Sequence, residues 1–297
     1  MNLEQVSQLT ESGARAYMES LRWPDGPICP HCGCTDVIVL GGKSTRAGLK
    51  KCRACKGQFT VTVGTIFEKS HVSLRKWLIA LALMVQSKKG ISALQVQRTL
   101  GLGSYQTAWF LCHRVREAMK SGPLADLLSG RVEADETYVG GKKRKGSPYR
   151  HRLENKTPVI ALVERDGRVK TRVVRVVNGE NLKSFIRESV DPDSTILSDE
   201  HAGYKGIGKE FKGGHHSVKH SRREYSRDGW IHCNTAESYF ALLKRGIVGA
   251  FHSVSPEHLH RYADEFSFRW DTRKMSDSER FETLLKACPG KRLQYKP

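Results

Sequence analysis

Val132-Glu133-Ala134-Asp135-Glu136-Thr137-Tyr138-Val139, closed by Gly140-Gly141, is the stretch on which the architecture turns. Its alternation is the period of a strand with one face in a core, and the paired glycines stop it. It carries an acid, Asp135. Downstream, Pro158-Val159-Ile160-Ala161-Leu162-Val163-Glu164 and Lys170-Thr171-Arg172-Val173-Val174-Arg175-Val176-Val177 flank Asp166-Gly167, a hairpin turn pair. Residues 180–189 read as a helix, and Thr195-Ile196-Leu197-Ser198-Asp199 as a short buried strand ending in an acid. A later helix spans about 235–245. This order predicts an α/β unit whose sheet can bring Asp135 and Asp199 side by side, with a helical acid crossing over them.

The third acid is Glu237, in Asn234-Thr235-Ala236-Glu237-Ser238-Tyr239-Phe240-Ala241-Leu242-Leu243-Lys244-Arg245-Gly246. Asn234, Glu237 and Lys244 are spaced to share one helix face, with Tyr239, Phe240, Leu242 and Leu243 supplying the apolar side. Spacing alone favours a surface Glu and Lys on an amphipathic helix. If the three carboxylates converge, their repulsion calls for cations, and hard oxygen ligands suit Mg²⁺ or Mn²⁺.

Upstream, Cys29-x2-Cys32 and Cys52-x2-Cys55 are two knuckles that can aim four thiolates at one structural zinc ion. Pro30, Gly33 and Gly57 supply turns, and residues 37–40 and 58–63 read as short strands. The rival reading, two disulfides, needs an oxidising compartment that nothing here supports. His31 and Cys34 lie beside the knuckle as bystanders, and Cys112, Cys233 and Cys288 read as ordinary thiols. Between the knuckles Lys43, Arg46, Lys50, Lys51 and Arg53 stand without an acid from residue 41 to 55, a face suited to DNA backbone.

Ser73 is placed to cap a strongly apolar helix from Leu74 to about Ser87. Residues 91–100 and 104–119, joined through Gly101-Leu102-Gly103, fit a helix-turn-helix, the second helix carrying Tyr105, Gln106, Thr107, His113, Arg114 and Arg116. A plain helical connector fits the same pattern. Residues 3–22 are loosely helical.

The composition limits the function classes. Across 297 residues, 50 Lys+Arg face 31 Asp+Glu for a formal net charge of +19, which points to a polyanionic partner, usually nucleic acid. Two segments concentrate that charge: Gly140 to Lys156 has seven Lys/Arg against one Glu, and Lys205 to Arg227 has seven against two acids. The longest apolar run, Trp77 to Val85, is nine residues, about half a bilayer crossing. The N-terminus lacks a basic and apolar leader pattern. Secreted and integral membrane readings are therefore set aside.

The cysteine knuckles, Ala134-Asp135-Glu136-Thr137-Tyr138-Val139-Gly140-Gly141, Ser198-Asp199-Glu200-His201-Ala202-Gly203-Tyr204 and the Asn234–Lys244 helix together resemble the DDE transposases of bacterial insertion sequences, in the group with an N-terminal zinc ribbon. Gly249-Ala250-Phe251-His252 and the stretch 261–270 are similar too. The resemblance implies an RNase H-like mixed-sheet catalytic domain preceded by a zinc ribbon and a helix-turn-helix-like module. The expected boundaries are 1–25 for an N-terminal helix, 26–68 for the ribbon, 70–121 for the helical module, 130–285 for the catalytic domain and 286–297 for a tail. It also implies an Asp135, Asp199, Glu237 triad with Lys244 beside it, Asn234 being the second choice for the third position. Structural Zn²⁺ and catalytic Mg²⁺ or Mn²⁺ are the expected cofactors. Glu136 and Glu200 follow the two aspartates and would point the other way on strands.

The expected activity is cleavage and strand transfer of double-stranded DNA by a homo-oligomer assembled on element ends, in the cytoplasm on the nucleoid. Residues expected to hold DNA are Lys43, Lys50, Lys51, Arg114, Lys142, Lys143, Arg144, Lys145, Arg222 and Arg223. Two other readings stay open: a zinc-ribbon regulator with an inactive catalytic fold, and a structure-selective nuclease.

Overall fold

A computed structural model of the chain describes residues 1–120, 126–141 and 156–294. They form two compact units. One comprises Met1–Met119 and the C-terminal stretch from Met275; the other is Lys120–Lys274.

The first unit opens with two helices where one was expected. In α1 (Leu3–Gln8) the Asn2 side chain accepts from the Gln5 N–H and Gln5 returns a bond to Asn2. Thr10 then caps α2 (Glu11–Arg22), accepting from the Gly13 N–H. A second cap inside the run ends one helix and begins another. β1 (Val37–Val39), β2 (Lys50–Cys52) and β3 (Gln58–Phe59) follow as an antiparallel sheet in that order. The sequence signals β1 and β3 but not β2, because Lys50-Lys51-Cys52 has no apolar alternation. Residues 60–63 turn instead of prolonging β3, closed by a Val63 N–H bond to the Thr60 carbonyl.

Ser73 caps α3 (Leu74–Gln86) as its sequence predicts, its hydroxyl accepting from the Lys76 N–H. Leu74, Trp77, Leu78, Leu81, Met84 and Val85 are buried. A helix apolar on all sides must be covered on all sides. Here α1, α2, α4 (Ala93–Leu100), α5 (Tyr105–Met119) and α9 (Asp277–Lys286) pack around it. α4 stops at Gly101, whose φ of +56° lets the Leu102 N–H turn back to the Gln97 carbonyl.

α9 corrects the boundary expected at 285. Its Phe281, Leu284 and Leu285 are buried in the first unit, Phe281 stacks on Tyr17, and Glu282 accepts from the Tyr17 hydroxyl. The stretch after 286 is anchored there as well, with Lys291 donating to the Ala118 carbonyl and Gly290 to that of Gly64. The second unit therefore closes at Lys274.

The second unit is built on β4 (Arg131–Val139), β5 (Thr157–Glu164), β6 (Val169–Val173), β7 (Thr195–Ser198) and β8 (His215–Ser217). Their order is β6-β5-β4-β7-β8, with β4, β7 and β8 parallel and β5 antiparallel to both β4 and β6. This mixed order is that of an RNase H-like sheet. The β5–β6 hairpin turns at Asp166, in the left-handed region at φ +59°. β6 ends at Val173, short of the expected Val177: the next position of β5 is Pro158, whose carbonyl accepts from the Val174 N–H at 3.1 Å but which has no N–H to return a ladder bond.

Alternation along β4 and β5 divides two cores. Val132, Ala134, Ile160 and Leu162 face α6 (Gly179–Ser189) through Leu182, Phe185 and Ile186. Val159, Ala161 and Val163 face α7 (Asn234–Gly246) and α8 (Pro256–Asp271) through Tyr239, Leu243, Leu259 and Phe266. Gly246 allows α7 and α8 to close: a Cβ there would meet the Phe266 ring. No helix among the described residues is long and apolar enough to cross a membrane.

Candidate active site and zinc centre

β4 and β7 run parallel with Ala134 opposite Ser198, so Asp135 and Asp199 stand one position beyond that pair. Asp135 is also opposite Ala161, a member of the core under α7, which fixes its face. Glu237 sits in the first turn of α7, packed on that face through Ala236 and Tyr239. The charges of the three acids act on one another, although among the described residues only the four ribbon cysteines stand close enough together to share one ion. Burial pushes the Asp135 carboxyl up to about 7, and the charges of Glu136, Asp199 and Glu237 push the same way, against a 2.8 Å bond from the Glu136 N–H. Such crowding of like charge is relieved by a cation. Asn234, Glu237 and Lys244 are all exposed along one face of α7.

The opposite face of β4 holds Glu136, as alternation requires. The buried Tyr204 hydroxyl donates to it at 2.9 Å, and burial with the nearby Asp199 charge raises its carboxyl. Asp199 is held by a local turn in which its Oδ1 accepts from the His201 N–H at 2.9 Å. Glu200 is taken up by Ser221, through its N–H at 2.9 Å and its hydroxyl at 2.7 Å.

One acid was missed by sequence reasoning. Glu133 is fully buried and accepts from the Thr235 N–H at 2.7 Å, the Thr235 hydroxyl at 2.9 Å, the Ala236 N–H at 3.0 Å and Arg165 Nε at 2.8 Å. The available signal was parity: Glu133 shares a strand face with Asp135, so an acid occupied a core position and required partners.

The knuckles meet as expected. Cys29, Cys32, Cys52 and Cys55 offer four sulfurs all within 4.8 Å of one another. Cys29 Sγ lies 3.7 Å from that of Cys55, and Cys32 Sγ 3.6 Å from that of Cys52. Four thiolates on a tetrahedral zinc with bonds of about 2.3 Å stand roughly 3.7 Å apart, so donors and spacing fit the ion. Gly33 (φ +75°) and Lys56 (φ +60°) each turn the backbone just after the second cysteine of their knuckle. Cys34 lies outside the four and accepts from the Asp36 N–H, while His31 meets the Phe59 ring edge-on.

The basic residues singled out for DNA divide sharply. Lys43, Arg222 and Arg223 are exposed and Lys51 is half-buried. Lys50 is buried, ion-paired to Glu19 at 2.6 Å and lying over the Trp23 ring, so its charge is spent inside the unit. Arg114 is buried as well: it donates to the Glu68 carbonyl at 2.6 Å and lies over Trp77, and burial lowers its guanidinium to about 10. His113 and Arg116 share that interior, leaving Tyr105, Gln106 and Thr107 as the exposed polar start of α5. Lys142, Lys143, Arg144 and Lys145 lie outside the described residues.

Comparison with known proteins gives two family matches. Residues 127–271 match the ISXO2-like transposase domain, and residues 9–58 match the transposase zinc-ribbon domain. Over 296 residues the chain is 27% identical to an uncharacterized protein in transposable element ISH50 of Halobacterium salinarum, covering 94% of this chain and 97% of that protein. Among solved structures it is similar to a chain of the simian T-cell lymphotropic virus intasome in complex with PP2A regulatory subunit B56 gamma, at 12% identity and a TM-score of 0.29 over 63% of this chain and 64% of that one. It is also similar to a chain of a pre-cleavage Mos1 transpososome, at 13% identity and a TM-score of 0.23 over 93% and 98% of the two chains.

Proposed function

The chain belongs to the insertion-sequence transposases with an N-terminal zinc ribbon, and on that premise we propose that it cuts double-stranded DNA at the ends of its element and joins them to a target in one acidic site. The observation that supports this reading is the register by which Asp135 and Asp199 follow the last pair of the parallel β4–β7 ladder, with the Asp135 carboxyl raised by burial and, less, by the charges of Glu136, Asp199 and Glu237. Asp135, Asp199 and Glu237 would hold Mg²⁺ or Mn²⁺, which when bound activates a hydroxyl nucleophile and stabilises the departing oxygen. Glu237 is favoured over Asn234 because its charge reaches Asp135.

Lys244, two helical turns beyond Glu237 on the same exposed face, would hold a DNA phosphate against the acids. In cleavage, water attacks the scissile phosphorus and a 3′-hydroxyl leaves. In joining, that hydroxyl attacks a target phosphodiester and displaces the target's own 3′-oxygen. The ribbon, through Lys43 and Lys51, and the start of α5 would bind the terminal repeats, with Arg222 and Arg223 on further backbone. Joining two ends in concert calls for a dimer or larger assembly on DNA, working at the nucleoid in the cytoplasm.

The test is strand transfer by the purified chain with Mg²⁺, DNA carrying the element ends and a target plasmid, beside Asp199→Ala. Joined product from the wild type alone supports the reading. Cleavage without joining would instead identify a nuclease, and metal-independent binding without cleavage a regulator.

A further inference from the structure

α7 has an unusual beginning. Its N-cap position is Cys233, which makes no side-chain bond to the helix, so the first-turn N–H groups need an acceptor from elsewhere. That acceptor is Glu133, 102 residues away in sequence from Thr235, on the strand that carries Asp135. Its Oε2 takes the Thr235 and Ala236 N–H groups, and its Oε1 takes the Thr235 hydroxyl and Arg165 Nε. Arg165 extends the brace, donating to the His232 carbonyl at 3.1 Å just before the helix, and His232 Nδ1 stands 3.3 Å from Glu133 Oε1.

A carboxylate facing bare N–H groups also meets the positive end of the helix dipole, so charge and hydrogen bonding act together. Glu133 and Asp135 project from the same face of one strand, two residues apart, and both are tied to what lies above them. The height and axial position of α7, and with them Glu237, are thus measured from the strand that carries Asp135.

We propose that Glu133 is the positioning residue of the acidic site: it bolts the first turn of α7 to β4 and thereby sets the Asp135–Glu237 separation. The inference rests on the reading of Glu237 as the third acid for its consequence, but not for its geometry. The test uses the full-length chain with Glu133→Gln and, as a milder change, Thr235→Val, which deletes only the hydroxyl bond. Two quantities are read: amide hydrogen exchange in peptides from 233–243, with β5 and α6 as references, and Mn²⁺ affinity by electron paramagnetic resonance, with Asp135→Ala defining the specific site.

Glu133→Gln is expected to speed exchange in 233–243 at least tenfold with the reference peptides unchanged, and to weaken Asp135-dependent Mn²⁺ binding at least tenfold. Thr235→Val is expected to move both the same way by less. Unchanged exchange in 233–243 overturns the proposal, as does exchange raised equally throughout the sheet with Mn²⁺ affinity intact, which is the signature of general destabilisation. A wild type that binds no Asp135-dependent Mn²⁺ would sink the reading of the triad instead, and the exchange result would still decide the bracing role. Should Glu133→Gln not fold, Thr235→Val decides the bracing role through the same two readouts.

Discussion

Asp135 and Asp199 stand one residue beyond the Ala134–Ser198 pair that closes the parallel ladder, Asp135 in the middle of β4 and Asp199 just past the end of β7, and burial raises the first of them to about 7. A raised acid makes a definite statement about stability. Between about pH 4 and 7 the folded chain keeps a proton that the unfolded chain has released, so stability falls as pH rises through that window and stays lower above it. Without added Mg²⁺ or Mn²⁺, Asp135→Asn should remove this loss and gain on the order of 2–4 kcal/mol over the wild type at pH 8, but little at pH 4. Asp271, raised to about 6 mainly by burial, leaves both proteins a residual slope of the same sign. Urea midpoints at the two pH values measure the difference; an equal pH dependence in both proteins refutes it.

The four-sulfur cluster should carry one zinc per chain by elemental analysis. Cys52→Ser should lose it, because a ribbon of three short strands has little core and draws its folding energy from the ion, about 10 kcal/mol or more for comparable small modules. Limited proteolysis should then cut within residues 26–68 while peptides from β4 and β5 survive. Full zinc content in the variant would mean that Cys34 or His31 had taken over as ligand.

Much of this was legible because strand and helix periods are local. Alternation located β4 and the face of Asp135, and helical spacing alone placed Asn234, Glu237 and Lys244 together. What stayed hidden depends on partners distant in sequence. The amphipathic pattern of α9 says that Phe281 and Leu285 are buried but not that Tyr17 and α3 bury them. The partners of Glu133 lie 32 and 102 residues away, at Arg165 and Thr235. Lys50 and Arg114 look like phosphate ligands in a basic stretch, and only the positions of Glu19, Trp23 and Trp77 reveal that they are structural.

That distinction is measurable at Lys50 and Lys43. Lys50→Ala breaks a largely buried ion pair and should cost about 2–4 kcal/mol, leaving Glu19 without its counter-charge. Lys43→Ala, at an exposed position, should change stability by less than about 0.5 kcal/mol. If Lys43 meets a phosphate, its loss lowers the slope of log affinity against log salt for end DNA by about one, whereas Lys50→Ala leaves that slope unaltered. A reduced slope in Lys50→Ala alone would return Lys50 to the DNA interface.

Arg114→Ala separates packing from recognition in the same way. The side chain bonds the Glu68 carbonyl and covers the rings of Trp77 and Phe110, so truncation should destabilise the first unit by about 2–4 kcal/mol. Gln106→Ala, at the exposed start of α5, should leave stability within about 0.5 kcal/mol and weaken binding to end DNA. Thermal melts beside binding isotherms distinguish the two; loss of binding in Arg114→Ala with an unchanged melting temperature would show that the arginine reads DNA after all.

Lys244 supplies the sharpest test of how α7 is used. It is exposed and belongs to no core, so Lys244→Ala should leave folding within about 0.5 kcal/mol of the wild type. A charge-assisted contact to a DNA phosphate contributes about 1.5–3 kcal/mol, so strand transfer should fall roughly 10- to 100-fold. Lys244→Arg keeps the charge on a longer, planar group and should recover part of that loss. Measured rates at saturating Mg²⁺ decide the matter: full activity in Lys244→Ala would reduce the residue to a solvated surface cation and leave the exposed face of α7 with Glu237 as its one working side chain.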